Sequence, residues 1–188
     1  EFIVSTRPDC VEDDVADLLA GYITKDREVW VELGLQSASD ETLRRINRGH
    51  TLSDYVKCME RLHKRGIKVC THVILGLPGE EREDFIETAK VLNEVGSEGV
   101  KIHNLHIPGG TKMAEEYLEG EITSWSTERY MNEVEYFLRL LNPEMIIERL
   151  VCETPSHRLM APRHFMDKSL FLRTLNDKME KDNTRQGD

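Results

Sequence analysis

The sequence lacks any apolar run that approaches the roughly 18 residues of a membrane span, and it lacks the pattern of a secretory signal peptide. We therefore predict a cytoplasmic protein without a membrane contact. Basic residues are few: 25 stand against 35 acidic residues in a chain of 188, for a net charge of −10. This balance disfavours nucleic-acid binding by the surface as a whole, but it is compatible with a local basic patch. Apolar residues make up 39% of the chain, enough to form a core.

Cysteine is also scarce. The four cysteines stand at positions 10, 58, 70 and 152, so no two share the short spacing of a zinc or iron–sulfur motif. We interpret them as free thiols and predict no metal site within these residues. The chain starts at Glu1, inside a strand-like apolar run and without an initiator Met. We interpret it as a fragment of a longer protein.

Short apolar runs alternate with helical patterns along most of the chain. Strands are predicted at residues 2–5, 29–35, 69–75, 100–107 and 145–150, and a final helix is predicted near 167–178. Because the strand and helix patterns alternate at about 30 residues, they indicate βα units and a parallel sheet.

The two faces of the predicted strands differ in polarity. In the run 29–37, one face carries valine and leucine, whereas the other carries Trp30, Glu32, Gly34 and Gln36. A doubly wound sheet would be apolar on both faces, so a barrel that lines its site with the inner face fits better. Four or five strands cannot close a barrel of eight. The predicted fold class is therefore α/β, with the strands forming part of a partial barrel.

Barrel sites gather at the carboxyl ends of the strands. Gln36 ends one strand and points inward, where an amide can donate and accept hydrogen bonds. Arg48 follows shortly after it and could bind a carboxylate through its guanidinium fork. The run Gly76–Glu80 joins a strand to a helix and suits an anionic ligand. Each of these features also has a purely structural interpretation. Gln36 could hydrogen-bond the backbone of a neighbouring loop, Arg48 could lie on the surface, and Gly76–Glu80 could form a tight turn. The inward His72 could be a hydrogen-bonded core residue.

Four motifs in this order and spacing resemble those of the radical SAM enzymes: Thr6–Asp9, Glu32–Ser37, Ile46–His50 and Gly76–Glu80. In particular, the sequence resembles the elongator catalytic subunit and an elongator-like bacterial radical SAM family (YhcC-like) whose substrate is unassigned. The resemblance extends over about residues 3 to 180.

The resemblance implies a partial (β/α)6 barrel of the TIM type, of which this chain supplies the C-terminal portion plus a helical C-terminal extension. We expect the second part of the barrel at 1–110, a family-specific region at 111–180 and a disordered tail at 181–188. Family enzymes bind a [4Fe–4S] cluster through three cysteines and use it to cleave S-adenosylmethionine (SAM) reductively to a 5′-deoxyadenosyl radical. Those cysteines are absent here, so we expect an inactive fragment of an active parent enzyme.

The resemblance also assigns five residues to SAM. Gln36 matches a strand-end glutamine that contacts SAM, and Arg48 matches an arginine near the SAM carboxylate. Ile74 matches an apolar residue that packs on adenine. His72 and Ser5 stand where relatives place ribose contacts, which are often acidic in those relatives.

Partners follow from the same resemblance: an electron donor protein and, through the elongator kinship, a tRNA substrate. A truncated barrel exposes a sheet edge, so we also expect self-association. Two alternatives remain, namely a degenerate barrel scaffold that binds RNA or a protein partner, and an ordinary partial-barrel enzyme for a small anionic ligand. The basic residues of a possible RNA-binding face are Arg149, Arg158, Arg163, His164, Lys168 and Arg173.

Overall fold

A computed structural model describes all residues from Glu1 to Asp188. Its strands are β1 (Phe2–Thr6), β2 (Val29–Gln36), β3 (Lys68–Leu75), β4 (Gly99–Asn104), β5 (Ile107–Pro108), β6 (Ile146–Arg149) and β7 (Leu159–Ala161). Its α-helices are α1 (Asp13–Ala20), α2 (Asp40–Arg45), α3 (Leu52–His63), α4 (Arg82–Glu94), α5 (Lys112–Leu118), α6 (Thr127–Leu140) and α7 (Lys168–Asp182). None of the seven helices combines the length and apolar composition that crossing a bilayer requires.

Five strands form one sheet in the order β1-β2-β3-β4-β6, and every neighbouring pair is parallel. The α/β fold with a parallel sheet is therefore confirmed. Strands β5 and β7 form a second, antiparallel pair. Strand β6 lies beyond the predicted boundary at residue 110, yet Ile146 pairs with Gly99 in the large sheet. The C-terminal region thus contributes to the same sheet as the first 110 residues.

Local sequence signals explain where the helices start. The side chain of Thr51 accepts a hydrogen bond from the backbone of Asp54, and the Asp54 carboxylate accepts one from the backbone of Thr51. This capping box fixes the first turn of α3. Ser39 and Ser126 cap α2 and α6 through single side-chain bonds.

The outer face of the sheet forms the core. Val31, Leu33 and Leu35 are fully buried and belong, with Tyr55 and Leu62 of α3, to one cluster of 32 buried residues. Burial of such side chains is the main favourable term in folding. The other face of β2 carries Glu32 and Gly34, as the alternation predicts. This side of the sheet corresponds to the inner side of the predicted barrel, and we call it the concave face.

Two segments differ from the sequence-based expectation. The strand predicted at 100–107 ends at Asn104, and the chain bends before β5 because Ile107 pairs with β7 instead of continuing the large sheet. The tail expected to be disordered from residue 181 is held in place: Gln186 Nε2 donates to the backbone oxygens of Asn142 (2.6 Å) and Met145 (2.8 Å). The backbone N–H of Gly187 also donates to the carbonyl of Leu138, in the last turn of α6, where helix carbonyls lack intrahelical partners.

Candidate functional site

Strand β2 ends in a strained residue. Gln36 has φ of 75°, and the pairing with β3 slips between Gly34 and Gln36. A positive φ is uncommon outside glycine, and such residues are concentrated at functional sites. The slip turns the Gln36 side chain out of the regular pleat at the carboxyl end of the sheet.

Gln36 and Arg48 meet over Gly34. Arg48 Nη2 donates to the backbone oxygen of Gly34 at 3.1 Å. A Cβ on residue 34 would overlap Arg48 Nη2 and would lie 2.6 Å from Gln36 Nε2. The missing side chain of Gly34 therefore creates the space in which the two polar groups converge.

The guanidinium of Arg48 is only partly satisfied. Its Nε is buried and has no hydrogen-bond partner. Burial, and next the nearby cation Arg7, lower the pKa of Arg48 below its usual value. Because an unpaired buried donor is costly, this arrangement fits an anionic ligand that would accept a hydrogen bond from Nε.

Ile74 lies apart from this pair, in the wall of a cavity of about 420 Å³. Ile46 and Asn47, which directly precede Arg48, belong to the same wall, as do Leu105 and His106 at the end of β4. A cavity of this size with an apolar floor and a few polar groups is typical of small-molecule sites.

Ser5 and His72 both contact Glu32 on the concave face. Ser5 Oγ donates to Glu32 Oε2 at 2.8 Å. His72 Nε2 lies 3.2 Å from the same oxygen, but it is buried without the geometry of a hydrogen bond. Glu32 also pairs with Lys101, which lies 3.2 Å from Glu148. We call these five residues, Ser5, Glu32, His72, Lys101 and Glu148, the inner network.

His103 extends the concave face beyond the inner network. Its ring lies against that of His72 with the centroids 5.2 Å apart. Its Nε2 is buried and has no partner. Burial, and next His72, lower its pKa to about 4, so the ring is neutral near pH 7.

Two further contacts hold the loop that starts at Gly76. Ser37, next to Gln36, donates a hydrogen bond to the buried carboxyl of Glu80. The Trp125 ring covers Gly76, whose added Cβ would lie 3.1 Å from it. Neither contact has a local sequence signal, because each joins residues that are more than 40 positions apart.

The cysteines do not form a metal centre. All four are free, and nowhere do three or more His, Cys, Asp or Glu residues group in a way that could hold a metal ion. Cys152 is engaged by β4 instead: its backbone N–H donates to Asn104 Oδ1 at 3.0 Å, and its sulfur lies 3.7 Å from His106 Nδ1.

Two family models match the chain. The model for the radical SAM superfamily matches residues 1–92, and that for the radical SAM C-terminal domain matches residues 97–181. The sequence is 40% identical to the uncharacterized protein MJ0486 of Methanocaldococcus jannaschii over 98% of this chain and 58% of that protein. It is 42% identical to protein YhcC of Escherichia coli over 85% of this chain and 52% of that protein. The chain thus spans little more than half the length of these relatives.

More distant relatives extend the comparison. The tRNA uridine(34) acetyltransferase of M. jannaschii is 28% identical over 81% of this chain and 28% of that protein. Among solved structures, the archaeal Methanocaldococcus infernus Elp3 with an N-terminal deletion superposes with a TM-score of 0.82 at 26% identity, over 98% of this chain and 42% of that chain. Together with the two family models, these matches show that the chain belongs to the radical SAM superfamily, among its elongator-like members.

Proposed function

We propose that this chain forms the SAM-binding part of a longer radical SAM enzyme that modifies a nucleoside of tRNA. The observation that carries the proposal is the convergence of Gln36 and Arg48 over Gly34, with Arg48 Nε buried and without a partner. SAM presents a carboxylate and an amino group at one end, which an arginine and an amide can bind.

The residues of this chain fit SAM along its length. Arg48 would hold the carboxylate and Gln36 the adjacent polar atoms. The cavity that contains Ile74 would receive the adenine, since its wall is largely apolar and its volume is about 420 Å³. Ser5 and His72 would serve the ribose less directly, because the Ser5 hydroxyl and the His72 ring both approach Glu32.

The residues of this chain do not fit the [4Fe–4S] cluster, since no cysteine lies close to another in a metal-binding group. The cluster ligands would come from another part of the full protein, and an electron donor protein would reduce it. With that cluster, SAM supplies a carbon-centred radical for hydrogen abstraction. The task of this chain is to orient SAM and to exclude water around it.

The tRNA part of the proposal draws on a relative. The M. jannaschii protein that is 28% identical over 81% of this chain is named as a tRNA uridine(34) acetyltransferase. The overall charge of −10 disfavours a general attraction to RNA, so recognition would rely on a local basic face. Arg158, Arg163 and His164 lie in the C-terminal region, and the latter two line a surface cavity with Trp125 and Tyr117. Aromatic and basic side chains together are suited to single-stranded RNA.

The test uses the full-length protein with its cluster reconstituted under anaerobic conditions. We expect SAM binding by calorimetry and formation of 5′-deoxyadenosine after reduction. Arg48→Lys should weaken SAM binding by about tenfold, because lysine cannot reproduce the guanidinium fork. The matched control is Arg44→Lys on the exposed face of α2, which should bind SAM like the wild type.

Failure of the reconstituted protein to bind SAM would contradict the proposal. SAM binding without any 5′-deoxyadenosine would instead favour a degenerate scaffold. The nucleosides of bulk tRNA are analysed by mass spectrometry after the reaction. If 5′-deoxyadenosine forms but no nucleoside of the tRNA changes, tRNA is rejected as the substrate.

A further inference from the structure

We propose that His103, with His72 packed against it, forms a substrate-contact site that hydrogen-bonds the edge of a planar heterocycle, a nucleobase, on the concave face of the sheet. This inference rests on the proposed function and specifies which residues meet the base. It gives a role to His103, to which the resemblance assigns none.

Strand register places both rings on the concave face. In the parallel pair of β3 and β4, His72 lies opposite Lys101 and Ile74 lies opposite His103. Paired residues of neighbouring strands point to the same face of a sheet. His72, Ile74, Lys101 and His103 therefore form a patch, in which the imidazoles are in contact and the isoleucine lies beside His103.

The imidazole of His103 carries an unused hydrogen-bonding atom. Its Nε2 is buried and has no hydrogen bond, whereas His72 Nε2 already lies 3.2 Å from Glu32 Oε2. Buried polar atoms are nearly always satisfied in native proteins, and leaving one unsatisfied has a free-energy cost. A bound molecule that donates to or accepts from Nε2 removes that cost, which is why we infer a ligand here.

The charge of the patch favours a neutral ligand. Lys101 pairs with both Glu32 and Glu148. Arg149 supplies the second positive charge close to the two imidazoles, so the two carboxylates are balanced. Burial lowers the pKa of His72 below its usual value and that of His103 to about 4, so the His103 ring is uncharged at neutral pH. A neutral imidazole offers one donor and one acceptor nitrogen. Nucleobase edges alternate donors and acceptors in the same way, and their flat rings can pack on the imidazoles.

A metal ion does not suit this patch. Glu32 is the nearest carboxylate, and it is already occupied by Lys101 and Ser5. The two histidines are left without a third ligand, and no group of three metal-binding side chains exists at this position.

The position matches the proposed SAM site. His103 is the register neighbour of Ile74, which lines the cavity proposed for adenine. A base held at His103 would therefore lie next to the cofactor, on the open concave side of the sheet. Such proximity is what abstraction of a hydrogen atom from the substrate requires.

The experiment uses the full-length, cluster-loaded protein and an anticodon stem-loop RNA with uridine at the first anticodon position. The variants are His103→Ala, His103→Gln and the control His63→Ala, whose histidine contacts Glu98 of the loop before β4 and is remote from the concave face. Three quantities are measured: the Kd for SAM, the Kd for the stem-loop by fluorescence anisotropy without reductant, and the ratio of 5′-deoxyadenosine to modified uridine.

We expect His103→Ala to weaken stem-loop binding by about tenfold, the effect of one lost buried hydrogen bond. The ratio of 5′-deoxyadenosine to product should rise, since a misplaced base lets the radical be quenched unproductively. The Kd for SAM should stay at the wild-type value, and His103→Gln should recover most of the RNA affinity because its amide can replace Nε2.

Three results would overturn the inference. The first is a His103→Ala protein that matches His63→Ala in RNA affinity and in coupling ratio. The second is a loss of SAM binding in His103→Ala, which would make the ring a support of the cofactor site. The third is a wild-type protein that binds SAM and forms 5′-deoxyadenosine but does not bind the stem-loop. A wild-type protein that binds no SAM would refute the proposed function itself. The SAM measurement therefore distinguishes failure of the proposed function from failure of this inference.

Discussion

Ser37 Oγ donates a hydrogen bond to the buried carboxyl of Glu80, which lies 43 residues further along the chain. The same Ser37 oxygen accepts the backbone N–H of Ser39 at 3.0 Å. This contact joins the end of β2, next to Gln36, to the loop that precedes α4. The two loops that border the candidate SAM site are therefore held together through one carboxyl group.

The first prediction concerns pH. Burial raises the pKa of Glu80 to about 7, well above its usual range, so the folded state takes up a proton that the unfolded state has released. The contribution of Glu80 to the stability of the folded state is complete below the pKa that Glu80 has in the unfolded chain. It is lost as the pH rises through about 7. Relative to Glu80→Gln, the wild type should lose roughly 3 kcal/mol of unfolding free energy between about pH 4 and about pH 8.

Chemical denaturation at a series of pH values measures this difference. Glu83→Gln on the exposed side of α4 is the control and should follow the wild type at every pH. Parallel pH profiles of the wild type and Glu80→Gln would show that the Glu80 carboxyl titrates normally, and the prediction would then be wrong.

The second prediction concerns Gly34→Ala. The new methyl group would occupy the space of Arg48 Nη2 and Gln36 Nε2, both of which end flexible side chains. We expect SAM binding by the full-length protein to weaken by about tenfold while the thermal midpoint changes little, since the side chains can move aside. Gly109→Ala is the control, because its Cβ would come no closer than 3.9 Å to other atoms. If Gly34→Ala binds SAM with unchanged affinity, Gly34 does not shape the SAM site and the prediction is wrong.

The third prediction concerns the inner network. Lys101 pairs with Glu32 and Glu148, and the side chains of Lys101 and Glu32 are only 10% and 16% exposed. Lys101→Met should lower the unfolding free energy by roughly 3 kcal/mol, because two carboxylates lose their cation. Lys90→Met, whose partner Glu87 is exposed, should change it by less than about 0.5 kcal/mol. Equal effects of the two substitutions, measured by urea titration, would show that the network adds nothing to stability.

The fourth prediction concerns the outer edge of the sheet. Strand β1 pairs only with β2, and its Ile3 side chain is 48% exposed. Exposed strand edges tend to pair with other chains. The isolated 188-residue chain should therefore associate as its concentration rises in sedimentation velocity, and Ile3→Lys should reduce this. The control Leu118→Lys, on α5 and away from the edge, should not reduce the association. A wild-type chain that stays monomeric at every concentration would contradict the prediction.

Most of the architecture could be predicted because its signals are local. Strand β2 differs from the predicted 29–35 by a single residue, since the alternation of valine and leucine with polar residues marks both of its faces. The bend after Asn104 could not be predicted. The apolar pattern continues through Leu105 and Ile107, and only the pairing of Ile107 with Ala161 interrupts the strand.

The candidate site was predicted in part. Motif spacing selected Gln36 and Arg48, and the structure brings these two together over Gly34. Their roles toward SAM stay predictions. The contact of Glu32 with Lys101 spans 69 positions, and sequence shows which face a residue occupies but not how far apart two such residues are. The positive φ of Gln36 likewise arises from the register slip and not from the residue type.

The strand order of the large sheet has a consequence for synthesis of the chain. Strands β1 to β4 are neighbours in the same order in which they leave the ribosome, and β6 is added last beside β4. Each new βα unit can dock on an edge that is already complete, so no strand must insert between two others. Such vectorial assembly keeps the loop closed at each step short, which favours rapid folding and limits the time that apolar faces are exposed.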